Sequence, residues 1–137
     1  MRMAILCYPD LWSTVFAQIF VFQNSDSHIN LDVDEHTIWM LGSSIIKHAQ
    51  VESVLRPGGS NLNLERINVS LWWQGYRGLQ LIRVIQKLKM LKQVGPSPKA
   101  LFLHCGWNYI GKQSIRKIRL AVKDALHATY IIMLSKR

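Results

Sequence analysis

Residues 38–50 decide the fold, and they read IWMLGSSIIKHAQ. The four apolar residues 38–41 are typical of a buried strand, and a Gly-Ser-Ser turn follows them at once. A longer segment with helical spacing, residues 44–55, comes next. An apolar run, a glycine-containing turn and a helix together form the unit from which parallel sheets covered by helices are built.

The same unit recurs along the chain without any repetition of the sequence itself. Further apolar runs lie at 69–74, 100–105 and 129–134, and further helical segments lie at 79–93 and 113–127. The loop 95–98, Gly-Pro-Ser-Pro, ends the second helix because proline cannot continue one. The pattern predicts an α/β fold with a doubly wound parallel sheet of the flavodoxin-like type. The fold is expected to be incomplete at the C-terminus, with 129–134 as a fourth strand left at an unprotected edge.

Length and charge predict one domain with a separate head. The chain has 137 residues, of which 49% are apolar and 18% charged, which excludes a disordered protein. Its net charge of +9 is uneven, because residues 1–36 hold one base and five acids while 37–137 hold sixteen bases and three acids. We therefore expect residues 1–36 to be a head and acidic linker outside a domain at 37–137.

Two cysteines, Cys7 and Cys105, form no C-x-x-C pair. This pattern excludes a disulfide framework and a structural zinc site, and the sequence suggests neither a metal nor a cofactor. Isolated thiols favour a reduced, cytoplasmic setting. A secreted protein is the alternative, because an apolar stretch follows Arg2, although no clear cleavage site follows that stretch. A spanning helix needs about twenty apolar residues, and the run at 11–22 is shorter and contains polar residues, so no membrane association is expected.

The predicted strand ends carry the residues with chemistry. Ligands of such folds gather beyond the carboxyl ends of the strands. Those ends are Gly42-Ser43-Ser44, Gly75-Tyr76-Arg77-Gly78 and Gly106-Trp107-Asn108-Tyr109. A serine hydroxyl facing the backbone N–H of a glycine and the amide of an asparagine is what acyl transfer requires, since negative charge develops on the carbonyl oxygen.

Four stretches carry a resemblance to a known superfamily. They are IWMLGSSIIKHA at 38–49, RPGGSNL at 56–62, WWQGYRGLQL at 72–81 and LFLHCGWNYIGK at 101–112. They resemble SGNH (GDSL-type) hydrolases, and more narrowly an animal subgroup found partly in retroelement-derived reading frames. The resemblance implies an esterase that acts on small carboxylic esters without a cofactor. It also implies Ser44 as the catalytic nucleophile and an oxyanion hole made by the N–H of Ser44, the N–H of Gly78 and the amide of Asn108.

The sequence departs from the pattern of that superfamily in three places. Ser43 and Tyr109 stand where the superfamily has aspartates. Its Asp-x-x-His block follows a fifth strand, and this chain ends at Arg137. A literal match, Asp124 to His127, is expected at the end of a helix near the opposite edge of the sheet. We therefore expect a C-terminally truncated domain with impaired esterase activity.

Two alternatives to an esterase stay open at this stage. One is a basic module that binds nucleic acid weakly and without sequence preference, through two basic helix faces. These faces contain Lys87, Lys89, Lys92, Arg116, Arg119 and Lys123. The other alternative is a non-functional fragment of a retroelement-derived frame. Nothing in the sequence indicates an oligomeric state.

Single residues also have competing interpretations. Ser44 is alternatively the cap of its helix. His104 is interpreted as a hydrogen-bonded core histidine, and His48 as a poor substitute for the missing base. Trp72 and Trp73 are expected on opposite faces of their strand, since successive side chains of a strand alternate.

Overall fold

The structure is a computed structural model that describes residues 2–4, 18–23, 35–96 and 98–135. These residues form a five-stranded sheet and three α-helices. Along the sheet the strand order is β1-β2-β5-β3-β4. The strands are β1 (Arg2–Ala4), β2 (Gln18–Gln23), β3 (His36–Gly42), β4 (Val69–Gly75) and β5 (Pro98–Cys105).

Strand β3 lies in the centre of a parallel unit. It pairs with β4 from His36↔Val69 to Gly42↔Gly75, and with β5 up to Gly42↔His104. The three predicted strands 38–41, 69–74 and 100–105 are thus confirmed, and so is the general α/β character of the fold.

The sheet continues beyond β5 in the antiparallel sense. Strand β2 pairs with β5 from Gln18↔Cys105 to Gln23↔Ala100, and β1 pairs with β2. The sheet is therefore mixed, whereas the sequence predicted parallel strands throughout. The two antiparallel strands come from the segment 1–36 that we had expected to be a head and linker.

The helices are α1 (Ser44–Val54), α2 (Leu81–Val94) and α3 (Ile115–Leu134), with short 3-10 turns at Gly59–Asn61, Leu64–Ile67 and Trp107–Tyr109. Helix α1 packs on β3 and β4, while α2 packs on α3. Apolar residues recur at helical spacing in α2 and α3, so each helix has an apolar face. These faces and the strands β3 and β5 contribute residues to one hydrophobic core. Its largest fully buried side chains include Trp39, Leu81, Leu88, Leu101 and Leu103.

The fourth strand predicted at 129–134 is wrong, because these residues form the end of α3. Ala125, Thr129 and Ile132 are buried at helical spacing, and the Thr129 hydroxyl donates to the Ala125 carbonyl at 2.6 Å. The β-branched residues suggested a strand, but the buried face of the helix overrides that preference. The unprotected edge expected for this strand is wrong as well.

The two adjacent tryptophans of β4 lie on opposite faces, as predicted. The Trp72 ring packs on the Trp39 ring, with centroids 5.0 Å apart and planes tilted by 57°. The Trp73 indole N–H donates to the Ser60 carbonyl at 2.8 Å. Each tryptophan therefore attaches the sheet to a different covering layer.

Candidate functional site

The carboxyl ends of the three parallel strands meet at one edge of the sheet. The Tyr76 N–H donates to the Gly42 carbonyl at 2.8 Å, and the Ser43 N–H donates to the His104 carbonyl at 3.1 Å. These bonds continue the strand pairing for one residue past the ends of β3 and β4. The segments that follow the strands, with Ser44, Gly78 and Asn108, consequently all begin from this edge.

Ser44 is the first residue of α1 and is half-buried. The N-cap is Ser43, which is extended (φ −78°, ψ −161°) and whose side chain accepts no capping bond. Ser44 is therefore not the helix cap. In the described part of the chain its hydroxyl makes no hydrogen bond, and its N–H lies in the first turn, where backbone donors have no partner within the helix.

Two glycines fix the start of α1 against the strand ends. A Cβ atom on Gly75 would collide with the Lys47 backbone, including its Cα at 2.6 Å. A Cβ atom on Gly42 would collide with the Ile46 side chain and would lie 2.5 Å from the His104 carbonyl oxygen. Real Cβ atoms do not tolerate such contacts, so Gly75 is needed because the α1 backbone approaches it, and Gly42 because the Ile46 side chain and β5 approach it. This approach holds Ser44 at the edge of the sheet.

Gly78 and Asn108 line one cavity of about 340 Å³ beyond this edge. Its other lining residues are Gln80, Tyr109, Lys112 and Gln113. Gly78 has φ +67°, a conformation that favours glycine and exposes backbone to a ligand. Two of the three residues predicted for the oxyanion hole therefore share a cavity, while Ser44 is not among the residues that line it.

The loop after β5 is held by its own backbone bonds. It turns at Gly106 with φ +106°, and the Tyr109 N–H donates to the Gly106 carbonyl at 3.1 Å. The Tyr109 carbonyl accepts from the N–H groups of Lys112 (3.1 Å) and Gln113 (3.0 Å). These bonds fix the backbone on both sides of Asn108 before any ligand arrives.

None of the histidines at 36, 48, 104 and 127 forms a hydrogen bond with the Ser44 hydroxyl within residues 35–96 and 98–135. His48 is exposed on α1. Asp124 and His127 are also exposed, in the body of α3 and not at its end as the sequence had suggested.

His104 is half-buried, and its Nδ1 atom is buried without a hydrogen-bond partner among the described residues. Burial lowers the pKa of His104 because it disfavours the charged imidazolium, and a hydrogen bond with its own backbone acts in the opposite direction. The interpretation as a hydrogen-bonded core histidine therefore stays a prediction.

Sequence reasoning missed the contact between Tyr76 and Lys87. The Lys87 ammonium lies 4.1 Å from the centre of the Tyr76 ring, and the Tyr76 hydroxyl donates to the Gln74 side-chain oxygen at 2.9 Å. Burial raises the pKa of Tyr76. The contact forms because α2 folds back over the segment that follows β4. No local sequence pattern indicates this pair.

Among the residues that the structure describes, no group of three or more His, Cys, Asp or Glu residues is arranged to hold a metal ion. No helix there has the length and apolar character needed to cross a membrane. Comparison of the chain with models of protein families, curated proteins and solved structures gave no match.

Proposed function

We propose that this protein is an acyl-ester hydrolase of the SGNH type whose acyl site is the strand-end cavity. The observation that carries the proposal is that Gly78 and Asn108, which follow different strands, line one cavity at the edge where α1 begins with Ser44. Convergence of an amide donor, a glycine backbone and a helix-start serine at one strand edge is the arrangement that the resemblance implies.

The strand order supports the same proposal. Within the parallel unit, the first strand β3 lies in the centre, the second strand β4 on one side and the third strand β5 on the other. Flavodoxin-like sheets have the order 2-1-3 over their first three strands, and their ligands bind where the order reverses. That point lies between β3 and β5 here, and four of the cavity residues follow β5, while Gly78 and Gln80 follow β4.

The proposed reaction proceeds through a seryl ester. The Ser44 oxygen adds to the ester carbonyl, its proton passes to the solvent or to the departing alcohol, and water later releases the acid. The N–H of Gly78 and the amide of Asn108 would stabilise the oxyanion in both steps. Because a serine hydroxyl is a weak nucleophile without an adjacent base, turnover is expected to be slow.

A short-chain aryl ester assay tests this proposal. In serine hydrolases the oxyanion hole and binding alone leave about 10³–10⁴ of rate enhancement when the triad is removed. We expect weak turnover in which water attacks an ester held in the oxyanion site faster than Ser44 does. Asn108→Ala should lower this turnover by about 10², whereas Ser44→Ala removes only the slow seryl-ester route and should lower it less than tenfold. The matched control is Ser60→Ala, which removes an exposed hydroxyl outside the cavity.

Two outcomes would contradict the proposal in different ways. If Asn108→Ala left turnover unchanged, the proposal that the cavity is the acyl site would be contradicted. Rapid turnover that Ser44→Ala abolishes would show that a base acts on Ser44, and would contradict the expected impairment.

Nucleic-acid binding is the second candidate, and one observation favours it. Residues 66–123 contain twelve Lys and Arg and no Asp or Glu. Lys89, Arg116 and Lys123 are exposed on α2 and α3, whereas Lys87 covers Tyr76. Binding of this kind should be sequence-independent and should weaken steeply with salt as counterions are released. Tight binding of one sequence at about 0.2 M salt would favour this function over ester hydrolysis.

A further inference from the structure

We infer that the cavity prefers substrates that carry an anionic oxygen group, a carboxylate or a phosphate, next to the ester, and that Lys112 binds this group. The inference rests on the proposed function, because it names the substrate class of the same site. It concerns binding, however, and is tested separately from turnover.

The side chains known to line the cavity are of polar types, and one of them is charged. Lys112 supplies that charge, and Tyr109 supplies a ring with a hydroxyl. The carboxamides of Gln80, Asn108 and Gln113 supply further donors, and no acid is among the lining residues that the structure describes. An anionic oxygen group therefore finds donors on several sides of the cavity.

The Lys112 ammonium has no carboxylate partner within residues 35–96 and 98–135. No acid lies between Glu65 and Asp124 in the sequence, so both strand-end loops that form the cavity are free of acids. The Lys112 backbone is fixed through its bond to the Tyr109 carbonyl. A ligand anion therefore competes with no protein carboxylate from these loops.

The backbone adds to the positive potential of the cavity. Gln80 is the N-cap of α2 and makes no side-chain capping bond, and Gln113 precedes Ser114, the N-cap of α3. Helix N-termini favour negative charge. Both helix starts therefore reinforce the charge of Lys112, although the polar lining of the cavity carries the inference.

The experiment is a titration of the whole chain followed by amide chemical shifts. The probes are glutarate, its neutral analogue glutaramide, and phenyl phosphate. We expect glutarate or phenyl phosphate to shift the amides of Gly78, Asn108 and Gln113 saturably, with glutaramide binding at least about fivefold more weakly. The tighter of the two anions identifies the source of the anionic group.

Variants assign this preference to Lys112. Lys112→Gln should weaken anion binding by about fivefold, which is the effect of one exposed charge, and Lys112→Arg should retain it. Lys89→Gln, which removes an exposed charge on α2 away from the cavity, is the matched control and should have no effect.

The outcomes separate this inference from the proposed function. Equal binding of glutaramide and glutarate, or equal losses in Lys112→Gln and Lys89→Gln, would overturn the anion preference and leave the acyl site intact. Absence of saturable binding by every probe would overturn the inference as well. The anion site would be supported and the hydrolase proposal contradicted if anions bound saturably but Asn108→Ala left ester turnover unchanged.

Discussion

At the scale of single residues, the site depends on two glycines that allow close packing and take no part in the reaction. Gly42 and Gly75 end β3 and β4 at paired positions, and both leave room for α1. The sequence indicated only that glycines follow the apolar runs. It did not indicate that the α1 backbone lies against Gly75, because that contact joins residues about 30 positions apart.

Gly75→Ala should destabilise the fold by about 3 kcal/mol, at the upper end of ordinary overpacking, because the added methyl group meets the Lys47 backbone. The free energy of unfolding in urea measures the loss. Gly111→Ala is the control, since Gly111 has open space around it and only its positive φ of +75° opposes a side chain. It should cost about 1 kcal/mol from backbone strain alone. Equal losses in the two variants would argue against the close approach of α1.

The Cys105 thiol provides a test of burial at the end of β5. Burial raises its pKa to about 12, so the thiol stays protonated at pH 8 and should resist alkylation by iodoacetamide. Because the pKa is higher in the folded chain, this group lowers stability as the pH rises above its ordinary value of 9.0. Mass spectrometry of the Cys105 peptide, with the denatured chain as control, measures the reaction. Equal alkylation of native and denatured protein would contradict the burial.

At the scale of elements, α3 shows where sequence patterns mislead. Residues 129–134 contain several residues that favour strands, and the preceding units made a fourth strand the natural expectation. The predicted helical segment 113–127 lies close to the observed start of α3 at Ile115, but its end was predicted too early. A helix continues as long as its buried face finds a partner, and α3, which packs on α2, keeps a buried face from Ala125 to Ile132. This partnership is a tertiary contact that no local window contains.

Lys92 connects the two helices at the end of α3. Its ammonium donates to the carbonyls of Ile132 and Ser135 and to the Ser135 hydroxyl. Lys92→Met should therefore lower the free energy of unfolding by about 1–2 kcal/mol, as expected for charge-assisted bonds at a half-buried position. Lys89→Met, at an exposed position of the same helix, should change it by less than about 0.5 kcal/mol. Thermal and urea unfolding of both variants measure the difference. If Lys92→Met left the free energy of unfolding unchanged, the role of Lys92 in holding α3 would be refuted.

At the scale of the whole molecule, the parallel unit and its edge were predictable from sequence, whereas the sheet beyond β5 was not. The strands β3, β4 and β5 are recognisable in the sequence as apolar runs that precede glycine-containing turns. The pairing of β2 with β5 joins residues about 80 positions apart, and the acidic character of its surroundings suggested a linker. Similarly, the segments of Gly78 and Asn108 were predicted at one edge, but Lys112 was not connected with them because its role depends on how the loop after β5 turns.

The proposed hydrolase combines an oxyanion site with a serine, Ser44, whose hydroxyl has no hydrogen-bonded base among the described residues. Chemical rescue by imidazole is the decisive test of this combination, since an added base can take the Ser44 proton. The measurement is aryl ester turnover as a function of imidazole concentration, with the rate of Ser44→Ala subtracted at each concentration. We predict a Ser44-dependent rate that is near zero without imidazole, rises with it, and is lost in Asn108→Ala. A Ser44-dependent rate that is already high without imidazole, or none at any concentration, would contradict the claim.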